Sequence, residues 1–209
     1  MIETMLNLKN SRLILILVLQ FLAEETLGNF GCAIRQSLNQ KAPIVRTQSL
    51  CYIPNEAFDL PSDVKPPADV TCGSGTILGK IPDLIFSGRK FSEIDFTKSK
   101  LTPGGFALAN FQFGGKNTQE SLIISGKLYT AANAALRARG DRKILNRLKV
   151  VDFFITSQID KSKGKEAKDS LLKHLGKVLK NCGKPKPKGN CNQGDVDKIN
   201  AMVIEAKAL

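Results

Sequence analysis

Along residues 81–111 a large apolar residue returns at every fifth position: Ile81, Phe86, Phe91, Phe96, Leu101, Phe106 and Phe111. That period matches neither the 3.6 residues of a helical turn nor the alternation of a flat strand, so the chain must turn at each repeat. Residues 76–115 therefore read as β structure, and two arrangements fit. One is a solenoid turning once per repeat. The other is an antiparallel sheet, with Thr102-Pro103-Gly104-Gly105 as a type II turn joining Ile94-Asp95-Phe96 to Phe106-Ala107-Leu108. About one and a half solenoid coils cannot bury a core alone, so this region has to pack on the rest of the protein.

After Gly115 the pattern becomes helical. Asn117, with Glu120 three residues on, is the expected cap of a helix carrying Leu122, Ile123, Leu128, Ala132, Ala135 and Leu136 and stopped by Gly140. A second helix is expected from Asp141, with Ile144, Leu145, Leu148, Val151, Ile155 and Ile159 on one face. A third runs over about 165–181, with Leu171, Leu172, Leu175, Val178 and Leu179 inward, and a last opens at Asp195 with Val196, Ile199, Met202, Val203 and Ala206. Short links make such helices antiparallel neighbours, which predicts a four-helix bundle. Residues 29–79 are dense in turn formers, and Pro54, Pro61, Pro66 and Pro67 exclude a long helix there. This segment is expected to cap the open end of the β region. The fold class is α+β: a β-helix-like or antiparallel β region with an N-terminal cap, then the bundle.

The text SGRKFSEIDFTKSKLTPGGFALANF, clearest at Asp95-Phe96 and Ala109-Asn110-Phe111, resembles the pentapeptide-repeat family. The resemblance implies that the central residue of each five points into a square parallel β-helix. Residues 128–179, an alanine-rich helix, a glycine-containing turn and a Leu/Phe-rich helix, are similar to the small helical modules at the ends of some bacterial surface and secreted proteins. That likeness implies an attachment module and carries over no catalytic residue.

The first 28 residues place Lys9 and Arg12 ahead of an eleven-residue apolar run, residues 13–23. This is signal-peptide grammar, and the run falls short of the roughly 20 residues of a permanent span. The expected organisation is a signal peptide over 1–28, a cysteine-containing cap and β region over 29–115, and a basic helical bundle over 116–209. Secretion or display at the cell surface follows. Cys32 opens an alternative, lipid attachment. An oxidising compartment favours disulfides among Cys32, Cys51, Cys72, Cys182 and Cys191. Cys182 and Cys191 are expected to pair; a second bridge would join two of the other three, in a combination the sequence leaves open. No metal site or cofactor is expected, because Cys-x-x-Cys is absent and His174 is the only histidine.

Charge divides the chain. Residues 29–115 hold nine Lys/Arg against seven Asp/Glu, whereas residues 116–209 hold twenty against nine. The positive field of the second half points to an acidic polymer or a cell-envelope component as partner. Its candidate surface is Lys173, Lys177 and Lys180 on one helix face, followed by Lys184, Lys186 and Lys188 in a stiff, extended Lys/Pro loop between Cys182 and Cys191. No stacking aromatics accompany these lysines, which argues against single-stranded nucleic acid read by stacking and leaves phosphate or carboxylate contact by charge alone; no sequence-specific nucleic-acid partner is expected. No catalytic constellation is legible. The alternative to a non-enzymatic interaction protein is a small secreted hydrolase or toxin using Asp83, Glu93 and Asp95. Arg139-Gly140-Asp141 spells an adhesion tripeptide, but a helix stop followed by a helix cap explains it.

Overall fold

Two left-handed turns fold the start of the apolar lattice into a small sheet. The computed structural model describes residues 50–54, 60 and 65–209. Within them β1 (Thr71–Ile77), β2 (Ile81–Phe86) and β3 (Arg89–Lys90) form an antiparallel sheet in the order β1-β2-β3. Leu78 and Gly79 turn the chain between β1 and β2, and Ser87-Gly88 is the two-residue link to β3; all four have positive φ. Ile77 pairs with Ile81 and Cys72 with Leu84, with a bulge between Cys72 and Thr76. The signal-peptide segment, Cys32 and part of the cap lie outside the described residues.

Beyond the sheet the lattice leaves β structure altogether, which corrects the solenoid expectation. Phe91 and Phe96 each open a 3-10 turn, Phe91–Glu93 and Phe96–Lys98, while Phe106 lies in α1 (Pro103–Asn110) and Phe111 caps it. Thr102-Pro103-Gly104-Gly105 is therefore no hairpin turn. The Thr102 hydroxyl accepts the Gly105 N–H at 3.0 Å, and Pro103 occupies the first helical turn, where its missing N–H is not needed. The five-residue rhythm has a tertiary cause: successive short elements return apolar side chains to one core. Phe91 and Phe111 lie 5.0 and 5.8 Å from the Tyr129 ring, whose hydroxyl donates to the Ile94 carbonyl at 2.7 Å. Leu101, at 50% exposure, is the lattice position that misses that core.

Four longer helices follow, close to the positions the apolar pattern predicts: α2 (Gln119–Ala138), α3 (Arg142–Ser162), α4 (Lys168–Cys182) and α5 (Gln193–Lys207). Their caps differ in part from expectation. Thr118, not Asn117, caps α2; Asp141 caps α3 as expected; and α5 begins at a capping box in which Asn192 and Asp195 exchange hydrogen bonds. Helix α2 packs on α3, α3 on α4 and α4 on α5, with α1 against α3 and β2 against α2. One apolar core runs from Ile81 and Leu84 through Tyr129, Leu148 and Phe154 to Val178 and Ile199. The helices are thus not a free-standing four-helix bundle, because the sheet and α1 complete their core.

Candidate functional site

Helix α4 is amphipathic: Leu171, Leu175 and Val178 are buried, and Lys173 and Lys180 are exposed on the opposite side. The lysines at 173, 177 and 180 recur at helical spacing, so they share a face. Lys177 is half-buried, with its Nζ 4.9 Å from the centre of the Phe153 ring. The loop after α4 keeps Lys184, Lys186 and Lys188 exposed. Among the described residues none of the six lysines makes an ion pair with a carboxylate.

The loop is fastened rather than merely extended. Cys182 and Cys191 form a disulfide, the Lys186 N–H donates to the Cys191 carbonyl, and the Gly189 N–H donates to the Lys186 carbonyl, both at 3.0 Å. Residues 186–189 therefore make a turn, with Pro187 in the position a turn prefers. This corrects the uniformly extended loop expected from its prolines. Two further bonds anchor it: Asn190 donates to the Asn181 carbonyl at 2.8 Å, and the Gly104 N–H donates to the Asn190 carbonyl at 2.9 Å. Gly104 is required at that contact, since an added Cβ would stand 2.5 Å from Cys191 Sγ. Beside it the buried Asp195 carboxylate accepts the Thr102 hydroxyl at 2.5 Å. The N-termini of α1 and α5 thus meet at one acid, an arrangement no sequence spacing announces.

Under the lysine face lies a polar seam. His174 Nδ1 is 2.7 Å from Asp160 Oδ2, and Ser170 Oγ donates to that same oxygen at 2.8 Å. Ser170 and Asp160 both lie at Nδ1 of His174, whereas a nucleophilic triad needs serine and carboxylate on opposite ring nitrogens. His174 is a tether between α3 and α4, and its ring stacks at 6.3 Å on Phe153. Further along α3, burial pushes the Asp152 carboxyl up to about 6, against a hydrogen bond donated by Asn133 at 2.9 Å. Asn133 in turn accepts from Arg137 Nε at 2.9 Å. Only the Ser170/His174 spacing of four hinted at this seam in the sequence.

The acids of the β region serve local structure. Asp83 accepts the Ser92 N–H and hydroxyl at 3.0 and 2.6 Å, and Asp95 accepts the N–H and hydroxyl of Thr97 at 2.9 and 2.7 Å. Both are buried: Asp95 caps the second 3-10 turn and Asp83, on β2, ties down the first, while Glu93 is exposed. In Arg139-Gly140-Asp141, Arg139 ends α2, Gly140 turns at φ 70° and Asp141 accepts the Ile144 N–H, so each residue has a structural task. A second disulfide joins Cys51 to Cys72, one of the combinations left open. Among the described residues no cluster of three His, Cys, Asp or Glu side chains could hold a metal ion, and no described helix is long and apolar enough to cross a membrane.

Residues 57–207 match the DUF7143 family, a domain of unknown function. The chain belongs to that family. No curated protein and no solved structure matches it. The DUF7143 match takes in the sheet, all five described α-helices and the lysine-bearing loop. Cys51 stands just ahead of it and is tied to β1 by its disulfide.

Proposed function

We propose that this DUF7143 protein is an exported, non-enzymatic interaction protein that binds anionic polymers or envelope components through α4 and the loop after it. The observation that carries this reading is the set of lysines at 173, 180, 184, 186 and 188: all are exposed, none is neutralised by a carboxylate among the described residues, and a disulfide holds their loop in place. With the loop backbone already fixed, only the lysine side chains have to be ordered when they contact phosphate or sulfate. Two disulfides support export, because such bonds persist in oxidising compartments.

The test is binding of the full chain to polyphosphate and to dextran sulfate across a salt series, beside a variant with glutamine at those five lysines. Affinity is expected to fall steeply with salt in the parent and to be largely lost in the variant. For a duplex nucleic acid the log-log slope would shrink by about 0.9 per phosphate-contacting lysine removed. A salt-independent affinity, or a variant that binds as the parent does, overturns the proposal.

A further inference from the structure

The lysine face and the polar seam beneath it meet at His174. This residue follows Lys173 directly on α4 and precedes Lys177 by three positions, so its side chain, 18% exposed, stands at the margin between the charged face and the core. The Phe153 ring ties it to that face: His174 stacks on the ring at 6.3 Å, and Lys177 Nζ lies 4.9 Å from the ring centre. His174 is also the only histidine of the chain, and histidine is the side chain whose ordinary charge change falls between pH about 5 and 8.

The groups around the imidazole carry both signs. From α3, Asp160 Oδ2 holds Nδ1 at 2.7 Å, and Lys163 lies 3.9 Å from the other oxygen of that carboxylate. From α4 come Ser170, which donates to Asp160, and the ammonium groups of Lys173 and Lys177. Deeper on α3 is Asp152, whose carboxyl is raised to about 6 by burial, against the Asn133 hydrogen bond and the charges of His174, Arg137 and Lys177. A proton on His174 or Asp152 is therefore repelled by the lysine charges. An acidic polymer seated on those lysines offsets the repulsion and favours the protonated form of both groups. Linkage is reciprocal, so the proton must tighten the polymer by the same factor.

We infer that a strongly acidic polymer binds the lysine face with uptake of a proton, taken principally by His174, so that the site fills more tightly in mildly acidic surroundings than at neutral pH. The linkage rests on the lysine face being the polymer site, and it adds the regulation of that site. The lysines supply charge that is constant across this range; His174 supplies the part that varies.

Dextran sulfate is the probe, because its sulfate esters stay ionised throughout and any pH dependence then belongs to the protein. At constant ionic strength the full chain is expected to bind it threefold or more tightly, to order of magnitude, at pH about 5.5 than at pH about 7.5. Calorimetry at pH about 6.5 in two buffers of unequal ionisation enthalpy should register net proton uptake, which a purely structural histidine would not produce. His174→Gln, which keeps a donor for Asp160, should lose most of the gain on acidification, and Asp152→Asn only a small part of it. The parent's proton uptake decides the question even where the glutamine variant folds poorly. Equal affinity of the parent at the two pH values, proton release in place of uptake, or a gain that survives in His174→Gln overturns the inference, and lysine-dependent binding would then leave the polymer site standing. If glutamine at the five lysines leaves dextran sulfate binding unchanged, the polymer site itself falls and the proton linkage with it.

Discussion

The aromatic box around Tyr129 and the polar seam that joins α3 to α2 and α4 hold their elements together by opposite means. In the box, Tyr129 is fully buried between Phe91 and Phe111, and its single polar atom is satisfied by the Ile94 carbonyl. In the seam, the buried Asp152 and Asp160 are held by Asn133, Ser170 and His174. The box draws its strength from apolar area, which is indifferent to pH, and from one hydrogen bond whose loss would leave a buried acceptor. The seam specifies how three helices meet, but its stability depends on which groups are ionised. One protein thus has a region that resists conditions and a region that responds to them.

The largest effect should come from the box. Tyr129→Ala is expected to cost about 3–5 kcal/mol in denaturant unfolding, as for other large aromatic truncations, and Tyr129→Phe about 1–2 kcal/mol for the hydroxyl alone. A cost under about 1 kcal/mol for the alanine variant would show that the box is not a unit of stability. Next are the disulfides. Loop-closure entropy assigns about 3 kcal/mol to each, slightly more to Cys51–Cys72, which spans 21 residues, than to Cys182–Cys191, which spans 9. Unfolding of the two paired-serine variants measures both, and the reverse order would mean that anchoring through Gly104 and Asn190 outweighs chain entropy.

The seam gives a smaller effect with a definite sign. Burial raises Asp152 from 3.8 to about 6 in the folded protein, so the folded state holds that proton more tightly than the unfolded chain does. Its contribution therefore turns unfavourable as pH rises from 3.8 to about 6 and stays so above. Asp152→Asn, which preserves an acceptor for Asn133, should stabilise the protein by roughly 1–3 kcal/mol at neutral pH and by almost nothing at pH about 4. An equal effect at both values would show that folding leaves the Asp152 carboxyl at its ordinary pKa. The smallest stability change is expected on the lysine face, where glutamine at 173, 180, 184, 186 and 188 should shift unfolding by within about 0.5 kcal/mol per site while removing polymer binding. A large loss of stability there would make those lysines structural.

Some of this was legible in the sequence for local reasons. Asp141 announces α3 because a carboxylate directly ahead of an apolar helical stripe satisfies its first free N–H groups. Cys182 and Cys191 are near neighbours across a loop, so their pairing needed no knowledge of the rest of the chain. The lysines of α4 were placed by helical period alone. The sheet was less visible: Leu78 takes a positive φ that its side chain disfavours, and β3 has only two residues. Helix α1 was hidden because Thr-Pro-Gly-Gly is good turn chemistry and equally good N-terminal chemistry, and both readings obey the same local rules.

The sequence by itself determined which residues are apolar and at what spacing, hence the long helices, the basic character of the second half and the Cys182–Cys191 loop. These follow from forces acting within a few residues: hydrophobic period, capping and chain proximity. Tertiary structure alone decided that Phe91, Phe106 and Phe111 converge on one core from a 3-10 turn, a helix and its cap, that Asp195 joins two helix ends, and that Asp160 gathers Ser170 and His174. Each of those outcomes depends on partners brought together from separate elements by burial, and burial belongs to the whole core rather than to any segment of it.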